Sequence, residues 1–170
     1  MDAFDTLGLA PAFDLDEAEL AKRHRDLVKA LHPDKFVGCP PAERRMALGK
    51  TIEVNEAVRT LRDPIRRAEV LARRRGLPVG ETSEPAPPAA LLMEMMEERE
   101  ELAEATGARD ALRVEKMAIR MRTRQAAVQK RLGEALASEA RTGEVLPILG
   151  EMRYVRRLLD DVLAFEDSLF

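Results

Sequence analysis

His32 and Asp34, two positions apart in the run His32-Pro33-Asp34-Lys35-Phe36, are the residues of this 170-residue chain whose types and spacing most suggest chemistry. An imidazole beside a carboxylate suits general acid-base work, but the pair completes a mechanism only with a nucleophile, a metal or a bound phosphate. No Ser or Cys nucleophile lies nearby in a recognisable motif, and the sequence holds no glycine-rich phosphate loop. The single cysteine, Cys39, has no disulfide partner and no second ligand at metal-binding spacing. The expectation is a protein that is not an enzyme, needs no metal or cofactor, and works in a reducing cytoplasm. Recognition is what remains for His32 and Asp34. Pro33 lacks an N–H and disfavours helical geometry at His32, so the tripeptide should form an extended loop that offers its imidazole and carboxylate to a partner.

The flanking elements must hold that loop. Asp16 followed by Glu19 reads as an N-cap with a capping-box partner. From there Leu20, His24, Leu27 and Leu31 recur at helical spacing, and Lys22, Arg23, Arg25 and Lys29 fall largely off that stripe. One face should pack, His24 with it, and the other should be basic. Pro33 ends the helix near Leu31, and residues 32–40 should be loop. Pro41 suits the first turn of a second helix through Ala47, Val54, Ala57, Val58 and Leu61, interrupted at Asp63-Pro64. Pro64 opens another, running to about Arg75 and closed by Gly76. A short helix near Asp5, carrying Phe4, Leu7 and Leu9, should pack against these.

The composition points to an all-α chain: 45% apolar, 4% aromatic, no Trp, and rich in Ala, Leu, Met, Arg and Glu. No apolar run reaches the roughly 18 residues that span a bilayer. The acidic start, Met1-Asp2-Ala3-Phe4-Asp5, is unlike a signal peptide. Residues 1–80 hold 15 Lys/Arg against 13 Asp/Glu, and residues 81–170 hold 13 against 18, an asymmetry too mild for bulk nucleic-acid affinity. Residues 76–90 contain four prolines and two glycines and read as a linker. Beyond it, helices over about 89–105, 108–140 and 144–167, with Gly107 and Gly143 at C-cap positions, imply a three-helix bundle. The expected domains are 1–75, a linker over 76–88, and 89–170.

In the first of those helices Leu91, Leu92, Met93, Met95 and Met96 cover an arc of roughly 200°, more than one face of a small bundle needs, so some should stay exposed. Met93, Glu97, Glu100 and Glu104 form an acidic ridge beside Leu92 and Met96. A partner with apolar and basic groups would fit it, although the same methionines equally suit the filling of core gaps. The basic residues of the long helix, Arg113, Lys116, Arg120, Arg122, Arg124, Lys130 and Arg131, come with nearby acids and no aromatic platform, so a solvated face is expected and not a nucleic-acid site.

The His32-Pro33-Asp34 loop between a basic helix and a helix carrying Val54-Asn55-Glu56-Ala57, Leu61 and Pro64 resembles a J-domain over roughly residues 1–75. That resemblance implies a helical hairpin docking on a DnaK-type chaperone and promoting its ATP hydrolysis. His32, Pro33 and Asp34 would be the trigger, and Lys22, Arg23, Arg25, Lys29 and Lys35 the complementary charged surface. His24 stands where J-domains usually carry an aromatic residue. The order of the whole chain is similar to the HscB type of J-protein: HPDKF, then Arg62-Asp63-Pro64 with Arg67-Ala68-Glu69, then Leu92-Met93-Glu94 with Glu98-Arg99-Glu100-Glu101-Leu102. It implies an HscA-type ATPase and an IscU-type iron-sulfur scaffold as partners. The scaffold-binding residues would be Leu92, Met93, Met96, Glu97, Glu100, Glu104 and Tyr154, the last where the family often has phenylalanine. A J-protein with another client, and a non-catalytic helical interaction module, are the alternatives. No nucleic acid or membrane is expected as a partner.

Overall fold

The computed structural model describes residues 1–80 and 87–168. The chain divides into two units, Met1–Arg74 and Arg75–Phe170. Both are helical, and no strand occurs among the described residues. Part of the expected linker, residues 81–86, lies outside the described residues, as do the final two.

In the first unit α1 (Ala3–Leu7) begins with a reciprocal capping box between Asp2 and Asp5 and ends at Gly8, whose φ of 63° is left-handed. α2 (Glu17–Ala30) starts at Asp16, whose carboxylate accepts the N–H groups of Ala18 and Glu19. Glu19 does not complete the box expected there. α3 (Pro41–Arg62) lies beside α2. His24 meets Asn55, and Val28 and Leu31 share a pocket with Ala47 and Thr51, so the two helices run antiparallel. Phe4, Leu7, Leu20, Val54, Val58 and Leu61 form the core between α1, α2 and α3.

Asp63 joins α3 to α4 (Pro64–Arg74) in two ways. Its backbone is extended, as a residue before proline prefers, and its carboxylate accepts the N–H groups of Ile65 and Arg66 at 2.8 and 3.2 Å. Arg67 explains its place in the Arg62–Glu69 motif. It is 7% exposed, lies 5.1 Å above the Phe13 ring, and donates to the Leu61 carbonyl at 2.7 Å, which the end of α3 leaves without a helical partner. At the far end of α4 the Arg74 guanidinium pairs with Asp2 and Asp5 and covers the Phe4 ring.

In the second unit the long helices α6 (Ala111–Ala137) and α7 (Thr142–Ser168) form the principal pair. Val114, Met117, Ala118, Met121, Val155, Leu158 and Val162 make the core near α5 (Ala89–Gly107). Among the described α5 residues only Ala105 is fully enclosed, with Met95 and Leu102 partly buried against that core. Neither glycine acts as the composition suggested. Gly107 is the last residue of α5 and the left-handed position falls on Arg109, φ 50°. Gly143 lies inside α7. The break comes earlier, at the extended Ser138 and a single 3-10 turn over Glu139–Arg141. Arg75 stabilises that break by donating to the carbonyls of Ala135, Leu136 and Ser138, of which Ala135 and Ser138 also accept the backbone N–H groups of Ser138 and Arg141.

Candidate functional site

The loop after α2 is tighter than a fully extended segment. His32 is extended, φ −58° and ψ 133°, as Pro33 requires, but Pro33–Phe36 then close one 3-10 turn, with Lys35 N–H donating to the His32 carbonyl at 3.0 Å. The turn does not absorb the two side chains. The His32 imidazole is 54% exposed and the Asp34 carboxylate 85% exposed. Nδ1 of His32 accepts the Asp34 N–H at 3.3 Å, which places the proton of the neutral ring on Nε2 and leaves that N–H directed away from the turn. A donor and an anion are thereby fixed on a short rigid segment.

Lys22, Arg23, Arg25, Lys29 and Lys35 are exposed, and among the described residues none has a carboxylate in ion-pair range. Arg25, Lys29 and Lys35 join His24, Val28, His32 and Asp34 around an open cleft of about 490 Å³. His24 is half-buried on the packing stripe, its Nε2 2.9 Å from Asn55 Oδ1, so it ties α2 to α3 at the edge of the basic surface. On the other side of the loop lies a feature that the periodicity did not reveal. A pocket of about 250 Å³ is lined chiefly by apolar side chains, among them Val28, Leu31, Pro33, Phe36, Ala47 and Leu48, with Arg44 at its edge. Leu48 and nearby Ile52 are each 61% exposed. Their signal was two large apolar residues outside the α3 packing stripe. The thiol of Cys39 is pushed up by burial and by Glu43, the opposite of an activated nucleophile.

The second candidate surface is one face of α5. Leu92 is 43% exposed, and Met93 and Met96 64% each, a contiguous apolar patch on a half-embedded helix. Glu97 and Glu100 border it, exposed and without ion pairs among the described residues. Glu104 is differently employed: its carboxylate meets Arg113 of α6 at 2.9 Å. Tyr154 is more enclosed than the other residues of the expected surface. It is 7% exposed, its ring belongs to the core, and its hydroxyl donates to the Met95 carbonyl at 2.9 Å.

Of the basic residues of α6, Lys116, Arg120, Arg122, Lys130 and Arg131 are exposed, as expected of a solvated face, and Arg113 and Arg124 are half-buried. Arg113 and Arg120 pair with Glu101, and Arg124 with Glu94, Glu98 and Glu151, so that ion pairs join the apolar packing of Met95, Leu102 and Ala105 in tying α5 to its neighbours. Arg131 pairs with Glu151. Burial pushes the Glu98 carboxyl up despite the neighbouring Arg120 and Arg124.

Both surfaces set exposed charged side chains beside exposed apolar ones. Residues 2–70 match the DnaJ domain family and residues 87–163 the HSCB C-terminal oligomerisation domain. The chain is 33% identical over 174 residues to the co-chaperone protein HscB homolog of Aeromonas hydrophila, covering 100% of this chain and 99% of that one. It is 31% identical over 172 residues to the homolog of Shewanella sp. strain MR-4, covering 99% of each. The structure of chaperone HscB from Vibrio cholerae is similar at a TM-score of 0.85 and 29% identity over the full length of both chains. With matches to both domains in order and a relative aligned end to end, the chain belongs to the HscB family of J-domain co-chaperones.

Proposed function

We propose that this protein stimulates ATP hydrolysis by a DnaK- or HscA-type chaperone through the His32-Pro33-Asp34 turn and delivers to it an IscU-type iron-sulfur scaffold held on α5. The observation that carries this reading is the pairing, in one chain, of a hydrogen-bonded, exposed His/Asp turn beside cations with an apolar patch edged by glutamates, these charges having no ion pair among the described residues. In the first step Lys22, Arg23, Arg25, Lys29 and Lys35 attract an acidic face of the chaperone and speed encounter, each contributing modestly. His32 Nε2–H then donates and Asp34 accepts on the chaperone side, and the apolar pocket beside the turn supplies area to desolvate. No bond is made or broken in this chain, because hydrolysis takes place in the partner.

In the second step Leu92, Met93 and Met96 bury against apolar groups of the scaffold, and Glu97 and Glu100 meet its basic groups. Leu92 and Met96 are the expected anchors, since large apolar side chains at the middle of a patch lose the most water. Any iron-sulfur cluster is cargo of the scaffold. The test is steady-state ATP turnover by the chaperone with the scaffold present or omitted. Stimulation by the wild type that vanishes in His32→Gln supports the trigger, and full stimulation by that variant removes it.

A further inference from the structure

The eight methionines of the chain fall into two groups by exposure. Met117, Met121 and Met152 are 0–1% exposed, and Met95 is partly buried against the core that holds Met117 and Met121. Met1, Met46, Met93 and Met96 stand in solvent. Met1 and Met46 belong to the first unit and lie outside the residues of the His32–Asp34 turn and its pocket. Met93 and Met96, each 64% exposed, are placed differently: they are one helical turn apart on α5, and at helical spacing Met96 falls between Leu92 and Met93 around the axis, in the middle of the apolar patch. A thioether in water is, after the thiolate, the side-chain sulfur most open to oxidation. The one thiol of the chain competes poorly, because burial and Glu43 push Cys39 up and leave little thiolate at neutral pH.

We propose that Met93 and Met96 are a modification site, oxidised to the sulfoxide by peroxides, and that the modification closes the α5 patch to its client. This rests on the reading of α5 as the scaffold-binding face. A sulfur lone pair attacks one oxygen of hydrogen peroxide, the S–O bond forms as the O–O bond breaks, and the departing hydroxide takes the proton of the transferred hydroxyl, leaving a sulfoxide and one water. Sulfur gives up two electrons and the peroxide takes them. The flexible apolar side chain thereby gains a dipole that must be stripped of water when the patch closes on apolar groups. Glu97 and Glu100, the carboxylates that border the patch, only accept hydrogen bonds, so on that side the new oxygen finds no donor. The fold is spared, because the methionines that fill the core are out of the oxidant's reach. A thiol-dependent sulfoxide reductase reverses the step, two thiols becoming a disulfide as the oxygen leaves as water.

The test uses the full-length chain carrying Cys39→Ser, so that thiol oxidation does not enter, treated with hydrogen peroxide, freed of it, and titrated calorimetrically with an IscU-type scaffold. Each protein is compared with itself before and after treatment. Peptide mass mapping should place one added oxygen on Met46, Met93 and Met96 and none on Met117, Met121 or Met152, with helicity unchanged. Scaffold affinity should fall about tenfold or more, and the two stereospecific methionine sulfoxide reductases with dithiothreitol should restore it. Met93→Leu/Met96→Leu should keep its own starting affinity through the treatment, and Met46→Leu should lose affinity as the parent does. Unchanged affinity with Met93 and Met96 fully converted would overturn the proposal. So would an equal loss in Met93→Leu/Met96→Leu, or Met93 and Met96 left as thioethers while Met46 is converted. Should untreated Leu92→Ala/Met96→Ala bind the scaffold like wild type, the scaffold-binding reading of α5 fails by itself, and the switch falls with it whatever the oxidation map shows.

Discussion

The His32–Asp34 turn and the first half of α5, the two proposed docking surfaces, both hold side chains in solvent, but by different means. The turn is fixed within five residues: Pro33 sets the backbone of His32, one 3-10 bond closes the segment, and the Asp34 N–H orients the imidazole. On α5 the neighbours come from 26 to 59 positions away: Arg124 pairs with Glu94 and Glu98 while also meeting Glu151, and Tyr154 donates to the Met95 carbonyl. A trigger built locally survives disturbance elsewhere in its unit, whereas a binding face seated by distant charges inherits every change in that seat.

The largest expected effect lies on the local side. Asp34→Asn or His32→Gln should lower stimulation of chaperone ATP turnover by more than about tenfold, because each deletes a charge or donor at the contact, while the melting temperature stays within about a degree for such exposed positions. A large fall in melting temperature would show that the turn is structural and collapse the contrast. Next in size, Leu92→Ala with Met96→Ala should weaken scaffold binding by about tenfold or more and leave scaffold-independent stimulation intact, since neither residue belongs to the His32–Asp34 turn or its basic helix. Combining these changes with Asp34→Asn should give the sum of the separate effects.

A smaller effect sharpens the division within α5. Glu97→Gln or Glu100→Gln should each weaken scaffold binding about twofold to fivefold, as expected for rim charges, and mostly through the association rate. Glu104→Gln should do less, because that carboxylate already faces Arg113. Equal effects from all three in stopped-flow association would mean that the ion pair opens on binding.

The smallest concerns acid. Asp2 is held below the usual carboxylate range by the Arg74 guanidinium and then by backbone N–H groups, and Asp5 by the Asp2 N–H and then by Arg74. Folded-state values below the unfolded ones mean stability that is present at neutral pH and lost as the pH falls below about 4. Melting temperatures taken from pH 7 to pH 3 should fall less steeply in Arg74→Ala than in the wild type. Parallel curves would remove these aspartates from the account.

The same contrast explains what could be read from the chain before its structure. The α2 start at Asp16, the stop at Pro33, the Asp63-Pro64 junction and the exposed apolar surplus on α5 all follow from rules acting over a few residues, and they appear where those rules put them. The enclosure of Tyr154 and the ion pairs of Arg113, Arg120, Arg124 and Arg131 could not be read from the sequence for the opposite reason. Whether an aromatic ring faces solvent or core, and whether an arginine is solvated or paired, depends on a neighbour from another helix that periodicity does not identify. The Gly107 and Gly143 caps failed because Arg109 took the left-handed position and an extended Ser138 ended α6, two outcomes that backbone propensity allows but does not select. The pocket beside the turn needed two antiparallel helices and a loop to enclose it.

The account stands most directly on one assay, steady-state ATP turnover by an HscA-type chaperone with an IscU-type scaffold, measured with wild-type protein and with His32→Gln. It predicts stimulation by the wild type, greater with scaffold than without, and near-basal turnover with the variant. Wild-type protein that leaves turnover at its basal rate, or a variant that stimulates fully, would contradict it.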